Sequence, residues 1–367
     1  MRIVILADPL DNQQAGIHHY TRNLITHLAE IDKNSEYFIL RSKKDDLFPP
    51  ERQIVVKSYP IPGHAAWRMF IGIPYRLRKL KADIVVEPAH FGPFNLPKRI
   101  KRATVIHDLT PILFPGLHRF HSQYLQKIFL KGILRRASLI ITNSANTSKD
   151  LLEYLPSTKQ KISQIYLGRD ESLEYISDTG SIEKYTGGKP YFLYAGTIEP
   201  RKNLIRLLEA FRMFKEKSAS GHLLLIAGGK GWKSKDFYEQ LDSHRFRDEI
   251  VICGYVERAT LAALYSHTEA FVFPSLYEGF GLPVVEAMTC GAPCLLSNVS
   301  SLPEVGGDAA IYFDPEKCSE IADAMYKITH EEGLRKRLAD GAGIQAAKFS
   351  WDAYARDFDR EIKKLQP

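Results

Sequence analysis

Short apolar runs alternate with longer amphipathic segments along the chain. Residues 3–7 form an apolar run typical of a β-strand, and in residues 17–31 Leu24, Leu28 and Ile31 recur at helical spacing. Helices are also predicted at residues 204–217 and 350–365, the second with Ser350 as its N-cap. Strands that alternate with helices indicate parallel sheets with helices on both faces. The further predicted strands are residues 37–40, 54–56, 84–86, 103–106, 139–142, 191–195, 223–227, 250–253, 270–273, 293–296 and 310–313.

The alternation is interrupted at residues 178–190, D-T-G-S-I-E-K-Y-T-G-G-K-P, whose glycines and closing proline suit a linker. The chain has 367 residues, which exceeds the roughly 250–300 residues at which a single core stops growing. We therefore expect an N-terminal domain at residues 1–178, a linker at 179–190 and a C-terminal domain at 191–349. The expected fold is α/β, with two Rossmann-like doubly wound domains facing a central cleft. Ligands of such sheets bind at the carboxyl ends of the strands.

Charge is distributed unevenly along the chain. Residues 1–180 carry 26 Lys and Arg against 17 Asp and Glu, whereas the remaining residues carry 24 against 26. A basic half suggests nucleic acid, membrane lipid or a phosphate-bearing substrate as partner, although a solvated basic surface has the same composition. No stretch reaches the ~18 apolar residues that span a bilayer, and residues 2–7 are too short an apolar run for an export signal. We expect a cytoplasmic location.

The segment E-G-F-G-L-P-V-V-E, from Glu278 to Glu286, carries the sharpest chemical signal. Pro283 suits the first position of a helix, and Gly279 and Gly281 allow backbone amides to approach a ligand closely. A helix N-terminus binds anions through its free N–H groups and its dipole. We expect Glu286 in the first helical turn and Glu278 just before it. The alternative is a capped helix with two surface glutamates.

A second signal is G-T-I-E-P-R-K-N at residues 196–203, between a predicted strand and a predicted helix. Arg201 and Lys202 would stand at the carboxyl end of that strand. Arginine offers a planar fork to phosphate oxygens, and lysine a point charge. Two cations at a helix start oppose the helix dipole, so a bound anion explains them better than solvent does.

Two weaker signals lie in the first half. The loop at residues 8–20 occupies the place of a Rossmann phosphate loop, but it holds Gly16 alone instead of G-x-G-x-x-G, which disfavours a dinucleotide. Gly16 would still let a phosphate or an acceptor approach. His107 ends the predicted strand at residues 103–106, where it is well placed for substrate contact, although a lone histidine is more often structural.

Other patterns give no metal site and no nucleic-acid signature. Asp357 and Asp359 have the D-x-D spacing, but they lie in a charged helix and indicate a solvated face. Cys290 and Cys294 lack a second pair that would complete a zinc site. No helix-turn-helix, zinc-finger or RNA-recognition motif is present. Residues 67–81 and 118–136 mix aromatic with cationic residues, as both interfacial membrane elements and ordinary amphipathic helices do.

Taken together, these motifs resemble a family-4 retaining glycosyltransferase with the GT-B fold, of the mannosyltransferase-like group 1 type. The resemblance spans nearly the whole chain. It implies an acceptor-binding first domain, a donor-binding second domain and a terminal helix, residues 350–367, that packs back on the first domain. The matching segments are residues 15–24, 107–108, 196–203, 274–288, 290–293 and 304–310.

The same resemblance implies a role for each site residue. His107 and Glu278 would contact the transferred sugar as the catalytic pair, and Glu286 would bind the ribose. Tyr255 and Val256 would border the base. The predicted donor-phosphate contacts are Gly16, Arg201, Lys202, Phe280, Gly281 and Leu282. Many relatives have Gly-Gly where this chain has Ala15-Gly16, and an Arg where it has Thr197, so phosphate charge would rest more heavily on the two cations.

The implied function is transfer of a hexosyl group, with GDP-mannose as the first donor candidate, to a glycan or lipid-linked saccharide in surface-polysaccharide synthesis. No metal or other cofactor is expected, because cations and a helix terminus would stabilise the leaving group. The partners expected are the donor, the acceptor and, through the basic first domain, the inner face of the membrane; no nucleic acid is expected. Three alternatives stay open: a UDP-sugar-dependent transferase, a sugar-nucleotide epimerase and a non-catalytic sugar-nucleotide-binding subunit.

Overall fold

The computed structural model describes residues 1–12, 16–44, 46, 48–89, 92–93, 95–117 and 120–366. The chain divides into two compact units, Met1–Gly168 with Ser350–Pro367, and Arg169–Phe349. Ala15 and His118, which open two of the segments singled out above, lie outside the described residues.

The first unit is built on a parallel sheet of seven described strands in the order β3-β2-β1-β4-β5-β6-β7. The inner strands are buried apolar runs because helices cover both faces. The strands are β1 (Arg2–Leu6), β2 (Glu36–Arg41), β3 (Gln53–Val55), β4 (Ile84–Glu87), β5 (Lys101–Ile106), β6 (Leu139–Thr142) and β7 (Ile162–Gln164). The helices are α1 (Pro9–Asn12), α2 (Gly16–Ile31), α3 (His64–Trp67), α4 (Ile73–Lys79), α5 (Thr110–Leu113), α6 (Phe120–Arg136) and α7 (Ala145–Tyr154).

The second unit repeats this arrangement with six parallel strands in the order β10-β9-β8-β11-β12-β13. In both sheets the order of the strands reverses beside the first strand, at β1/β4 and at β8/β11, as it does in doubly wound Rossmann sheets. The strands are β8 (Tyr191–Ala195), β9 (Leu223–Ala227), β10 (Ile250–Gly254), β11 (Ala270–Phe273), β12 (Cys294–Ser297) and β13 (Ala310–Phe313). The helices are α8 (Glu183–Thr186), α9 (Leu204–Ser218), α10 (Lys235–Asp242), α11 (Arg258–His267), α12 (Leu282–Thr289), α13 (Leu302–Gly306), α14 (Cys318–His330) and α15 (Leu334–Ala346).

The last helix, α16 (Trp351–Lys363), belongs to the first unit although it follows the second in sequence. Ser350 caps it, since its side chain accepts a hydrogen bond from the Ala353 amide. The helix packs on α2 through the buried hydroxyls of Tyr20 and Tyr354, which lie 2.5 Å apart.

The twelve predicted strands are confirmed, each to within two residues, and so is the α/β class. Strand β7 was not predicted. The division between the units lies after Gly168 rather than after residue 178, and residues 169–190 pack with the second unit. The Ile176 amide, for example, donates to Ser266 Oγ at 2.9 Å, and Leu173 and Ile182 are buried.

Candidate active site

The loops that follow β8 and β9 lie backbone to backbone. Gly196 and Gly228 have φ angles of 149° and 147°, which side-chain-bearing residues rarely adopt. A Cβ on Gly228 would lie 2.0 Å from the carbonyl oxygen of Gly196, so only glycine fits there. The amide of Gly231 donates to Ile198 O at 3.0 Å and ties the two loops together.

Arg201 and Lys202 lie on a single 3-10 turn, Pro200–Lys202, directly after this loop. Asn203 ends the turn with a φ of 61° and buries its side-chain amide, which donates to Pro274 O at 3.0 Å and to Pro315 O at 2.7 Å. These bonds fix the turn to the segments that follow β11 and β13. The two cations are therefore rigidly placed at the carboxyl edge of the sheet.

Both cations converge on the carboxylate of Glu278. Lys202 Nζ donates to Glu278 Oε1 at 2.6 Å, and Arg201 Nη1 donates to Glu278 Oε2 at 2.7 Å. Arg201 Nη2 also reaches Glu199 at 2.8 Å. The side chains of Lys202 and Glu278 are each only 9% exposed, so these are buried pairs rather than surface ion pairs. The alternative of two surface glutamates is thereby excluded for Glu278.

The pKa values of the Glu278 and Glu199 carboxylates are shifted in opposite directions. Burial alone would raise the pKa of Glu278, but Arg201 and Lys202 overcome it and hold that pKa at about 2. Burial raises the pKa of Glu199 above its ordinary value, and Arg201 only partly offsets it. Glu278 is therefore a firmly ionised acceptor of hydrogen bonds, not a general acid.

Two serines that follow β12 hold the Glu278 loop in place. Ser300 Oγ accepts a hydrogen bond from the Glu278 amide at 2.9 Å. Ser301 Oγ donates to the carbonyls of Glu278 and Phe280 at 3.0 and 2.7 Å. No motif marks Ser300 or Ser301, because their role depends on a contact across more than twenty positions.

Helix α12 starts one residue earlier than expected. Gly281, with a φ of 110°, is its N-cap, so Leu282 is the first helical residue and Pro283 the second. Glu286 therefore lies in the second turn, which corrects the prediction that it stands in the first. Phe280, Gly281 and Leu282 do lie at the helix start, as predicted, on the side where an anion would meet the positive end of the helix dipole.

Glu286 belongs to a second charged group. Arg258 Nη2 lies 3.5 Å from Glu286 Oε1 and also pairs with Asp170. Burial raises the pKa of Glu286, and Arg258 only partly offsets this rise. Sequence reasoning missed Arg258 and Asp170, since neither lies in a recognisable motif.

The two predicted base contacts differ in exposure. Tyr255 follows β10 with 83% of its surface exposed, whereas Val256 is buried. An exposed tyrosine ring at the carboxyl edge of a sheet is available for stacking against a planar ligand.

In the first unit, His107 follows β5, and its ring packs edge-on against Tyr20 with centroids 4.7 Å apart. Its Nε2 lies 2.7 Å from Pro88 O, so that nitrogen carries the proton and donates. Burial lowers the pKa of His107, which keeps the ring neutral and leaves Nδ1 as a hydrogen-bond acceptor. Gly16 begins α2 and is exposed, with nothing within 4 Å of an added Cβ.

Metal-ligating side chains do not gather at these positions among the described residues. The trio that lies close enough to share an ion is His27, Glu30 and Asp352, on α2 and α16, and His27 Nδ1 already hydrogen-bonds Asp352 at 2.8 Å. The four cysteines are free thiols.

Comparison with known proteins now decides the family. Residues 15–173 match Glycosyltransferase Family 4, and residues 181–343 match Glycosyl transferases group 1. The O-antigen chain mannosyltransferase B of Escherichia coli is 30% identical, over 96% of this chain and 97% of its own length. The chain belongs to this glycosyltransferase family.

Solved structures show the same fold for this glycosyltransferase. Sucrose-phosphate synthase from Thermosynechococcus elongatus matches with a TM-score of 0.79 at 20% identity, over 100% of this chain and 99% of that one. HepE of Anabaena, solved in complex with UDP-glucose, matches with a TM-score of 0.78 at 16% identity, over 99% and 100%. The GT-B fold predicted from the motifs is thus confirmed.

The glycosyltransferase brings together Arg201, Lys202 and Glu278, and it places Glu286 with Arg258 in the same unit. His107 and Gly16 lie in the other unit. Within the described residues, no helix combines the length and the apolar character that crossing a bilayer requires.

Proposed function

We propose that this glycosyltransferase moves a mannosyl group from GDP-mannose to a growing glycan or lipid-linked saccharide, with retention of anomeric configuration, at the cytoplasmic face of a membrane. The name of the E. coli relative, an O-antigen chain mannosyltransferase, supports the choice of sugar and acceptor. The observation that carries the proposal is the convergence of the largely buried Arg201 and the buried Lys202 on Glu278, next to a helix start.

In the absence of donor, Glu278 and Glu199 neutralise Arg201 and Lys202. An incoming diphosphate competes for the same cations and for the amides at the start of α12. Glu278 then turns its oxygens toward the hydroxyls of the hexose, for which an ionised carboxylate is a strong acceptor. After the exchange the diphosphate pairs with the two cations, and the Glu278 carboxylate keeps hydrogen-bond donors in the sugar hydroxyls, as a buried charge requires.

The chemical step breaks the bond between the anomeric carbon and the diphosphate oxygen, while the acceptor oxygen bonds to the same carbon on the same face. The acceptor proton passes to the departing phosphate. Negative charge therefore grows on the leaving group, where Arg201 and Lys202 stabilise it without further rearrangement. This route uses no metal and no protein nucleophile.

His107 would contribute a hydrogen-bond acceptor in a fixed position. With Nε2–H committed to Pro88 O, the neutral ring offers Nδ1 to a sugar hydroxyl. Glu286 would accept hydrogen bonds from the ribose hydroxyls, and Tyr255 would border the base. Gly16 would approach the phosphate from the first unit.

A thermal-shift panel of GDP, UDP and ADP tests the donor assignment. A nucleotide that binds the native state raises the free energy of unfolding by about 2.7 kcal/mol at a hundred times its Kd. We expect the largest shift with GDP and its loss in Lys202→Ala. Lys235→Ala, at an 84% exposed lysine of the same unit, is the matched control and should keep the shift.

Three results would redirect the proposal. A larger shift with UDP would assign a UDP-sugar donor. An epimer formed from donor alone would identify an epimerase, and nucleotide binding without any transfer to a mannose-terminated oligosaccharide would leave a binding subunit. With transfer in hand, the anomeric proton–carbon coupling of the product, measured by NMR, distinguishes retention from inversion.

A further inference from the structure

Five large apolar side chains stand exposed within one short stretch of the first unit, between β3 and β4. We call them the aromatic face. Their exposed fractions lie between 48% and 62%. The aromatic face consists of Tyr59, Ile61, Trp67, Ile71 and Tyr75.

These residues are held outward by a well-anchored backbone. The buried Arg68 donates to Val56 O at 2.7 Å and forms a two-bond ion pair with Asp8 at 2.6 and 2.7 Å. Ile73 and Leu77 are fully buried in the core below the segment. The three residues Trp67, Ile71 and Tyr75 recur every four positions along a helical segment whose middle turn, Arg68–Gly72, is a π-helix. A spacing of four is close to one turn of either helix type, so the three side chains share one side of the segment. Because the core anchors this segment, the side chains of the aromatic face stay exposed to solvent instead of packing into the core.

The chain segment that carries the aromatic face has charges of a single sign. Residues 53–82 contain six Lys and Arg and no Asp or Glu. Arg68 is the buried member, and the others are exposed. The five exposed cations are Lys57, Arg76, Arg78, Lys79 and Lys81.

We propose that the aromatic face and its five cations dock this glycosyltransferase on the anionic headgroups of a lipid bilayer. Tryptophan and tyrosine favour the membrane–water interface, where the ring is buried and the polar atom stays wet. Lysine and arginine near an anionic leaflet each add attraction, and apolar side chains add burial. A second copy of the chain fits less well, because a two-fold contact would bring five cations against five.

The inference deepens the proposed function, since it accounts for access to a lipid-linked acceptor, but its evidence lies in a different part of the molecule. Vesicle binding needs neither donor nor turnover. A lack of vesicle binding would therefore contradict this inference but not the proposed donor, and a negative nucleotide experiment would contradict the proposed function but not the membrane contact.

The test is co-sedimentation of the full chain with vesicles of phosphatidylcholine, with and without phosphatidylglycerol. We expect binding to the anionic vesicles and a loss on raising the salt concentration. Ile71→Ser with Tyr75→Ser should lower partitioning roughly tenfold. Arg76→Glu with Lys79→Glu should lower it by roughly 600-fold, since each cation contributes about fivefold and charge reversal doubles the free-energy effect at each of the two positions.

Matched controls lie on the second unit. Ile344 is 72% exposed, and Lys336 and Arg337 are exposed cations of α15. Ile344→Ser removes an exposed isoleucine like Ile71, and Lys336→Glu with Arg337→Glu alters the same charge as the cation variant. Both controls should leave partitioning unchanged.

Insertion of the aromatic face itself is measured by fluorescence. Lipids brominated in the acyl chain should quench the wild type more than Trp67→Phe, because Trp67 is the tryptophan of the aromatic face, whereas Trp351 is buried and Trp232 belongs to the second unit. Equal sedimentation of the wild type and both face variants would overturn the proposal. So would a concentration-dependent dimer that is lost in the face variants, without vesicle binding.

Discussion

Lys202 Nζ lies 2.6 Å from Glu278 Oε1, although 76 residues separate the two along the chain. Arg201 grips the other oxygen of the same carboxylate. The two cations proposed to bind the diphosphate are thus paired with a carboxylate of the protein itself. The stability that these ion pairs contribute can be measured without substrate.

The first prediction concerns acid stability. The pKa of Glu278 falls from an ordinary value of 4.5 to about 2 on folding. A lowered carboxylate pKa stabilises the folded state fully above pH ~4.5 and loses that contribution as the pH falls toward 2. Urea unfolding at pH 7, 4.5 and 3 should show the wild type losing on the order of 2 kcal/mol relative to Glu278→Gln across this range. A constant difference between the two proteins at all pH values would contradict the shift.

The second prediction assigns Glu199 a positioning role. Its carboxylate holds Arg201 Nη2 at 2.8 Å while Arg201 Nη1 serves Glu278. Glu199→Gln weakens that orientation, so kcat/KM for the donor should fall by roughly tenfold, mainly through KM. Glu199→Asp should recover part of the loss. A fall in thermal stability without any change in KM would show that Glu199 is merely structural.

The third prediction tests the contact between the β8 and β9 loops. Gly228→Ala would place a Cβ 2.0 Å from Gly196 O, on a backbone with a φ of 147°. We expect a loss of more than about 2 kcal/mol in the free energy of unfolding. The neighbouring Gly229→Ala is the control, since nothing lies within 4 Å of its added Cβ. Equal unfolding midpoints for the two variants would show that the loops do not touch as described.

The fourth prediction is a double-mutant cycle on the buried hydroxyl pair. Tyr20→Phe or Tyr354→Phe leaves the partner hydroxyl buried without a hydrogen bond, which costs about 1–3 kcal/mol. The double variant removes both groups and should recover much of that loss. Chemical denaturation of the four proteins gives the coupling energy. Strictly additive losses would argue against the bond.

Much of the fold could be predicted because apolar runs bounded by turn residues mark buried strands. Strand β7, Ile162–Gln164, escaped notice because it has three residues and only one of them is apolar. Such a short strand is recognisable only once β6 supplies its partner.

The candidate site, like the fold, could be predicted only in part. The pattern 196–203 indicated two cations that need an anion, and the structure supplies one in Glu278. What the sequence did not indicate was that Glu199 shares Arg201, or that Arg258 and Asp170 accompany Glu286. Pairing of this kind depends on which loops meet at a sheet edge, and local spacing carries no record of it.

Helix α16 has a consequence for how the polypeptide acquires its structure on the ribosome. Trp351 and Tyr354 complete the core around α2, yet they are translated after every residue of the second unit. The first unit therefore begins to emerge before the second and is completed after it. The second unit, whose residues are contiguous, can close on itself during synthesis, whereas the first must wait until α16 has been translated, with part of its apolar surface uncovered.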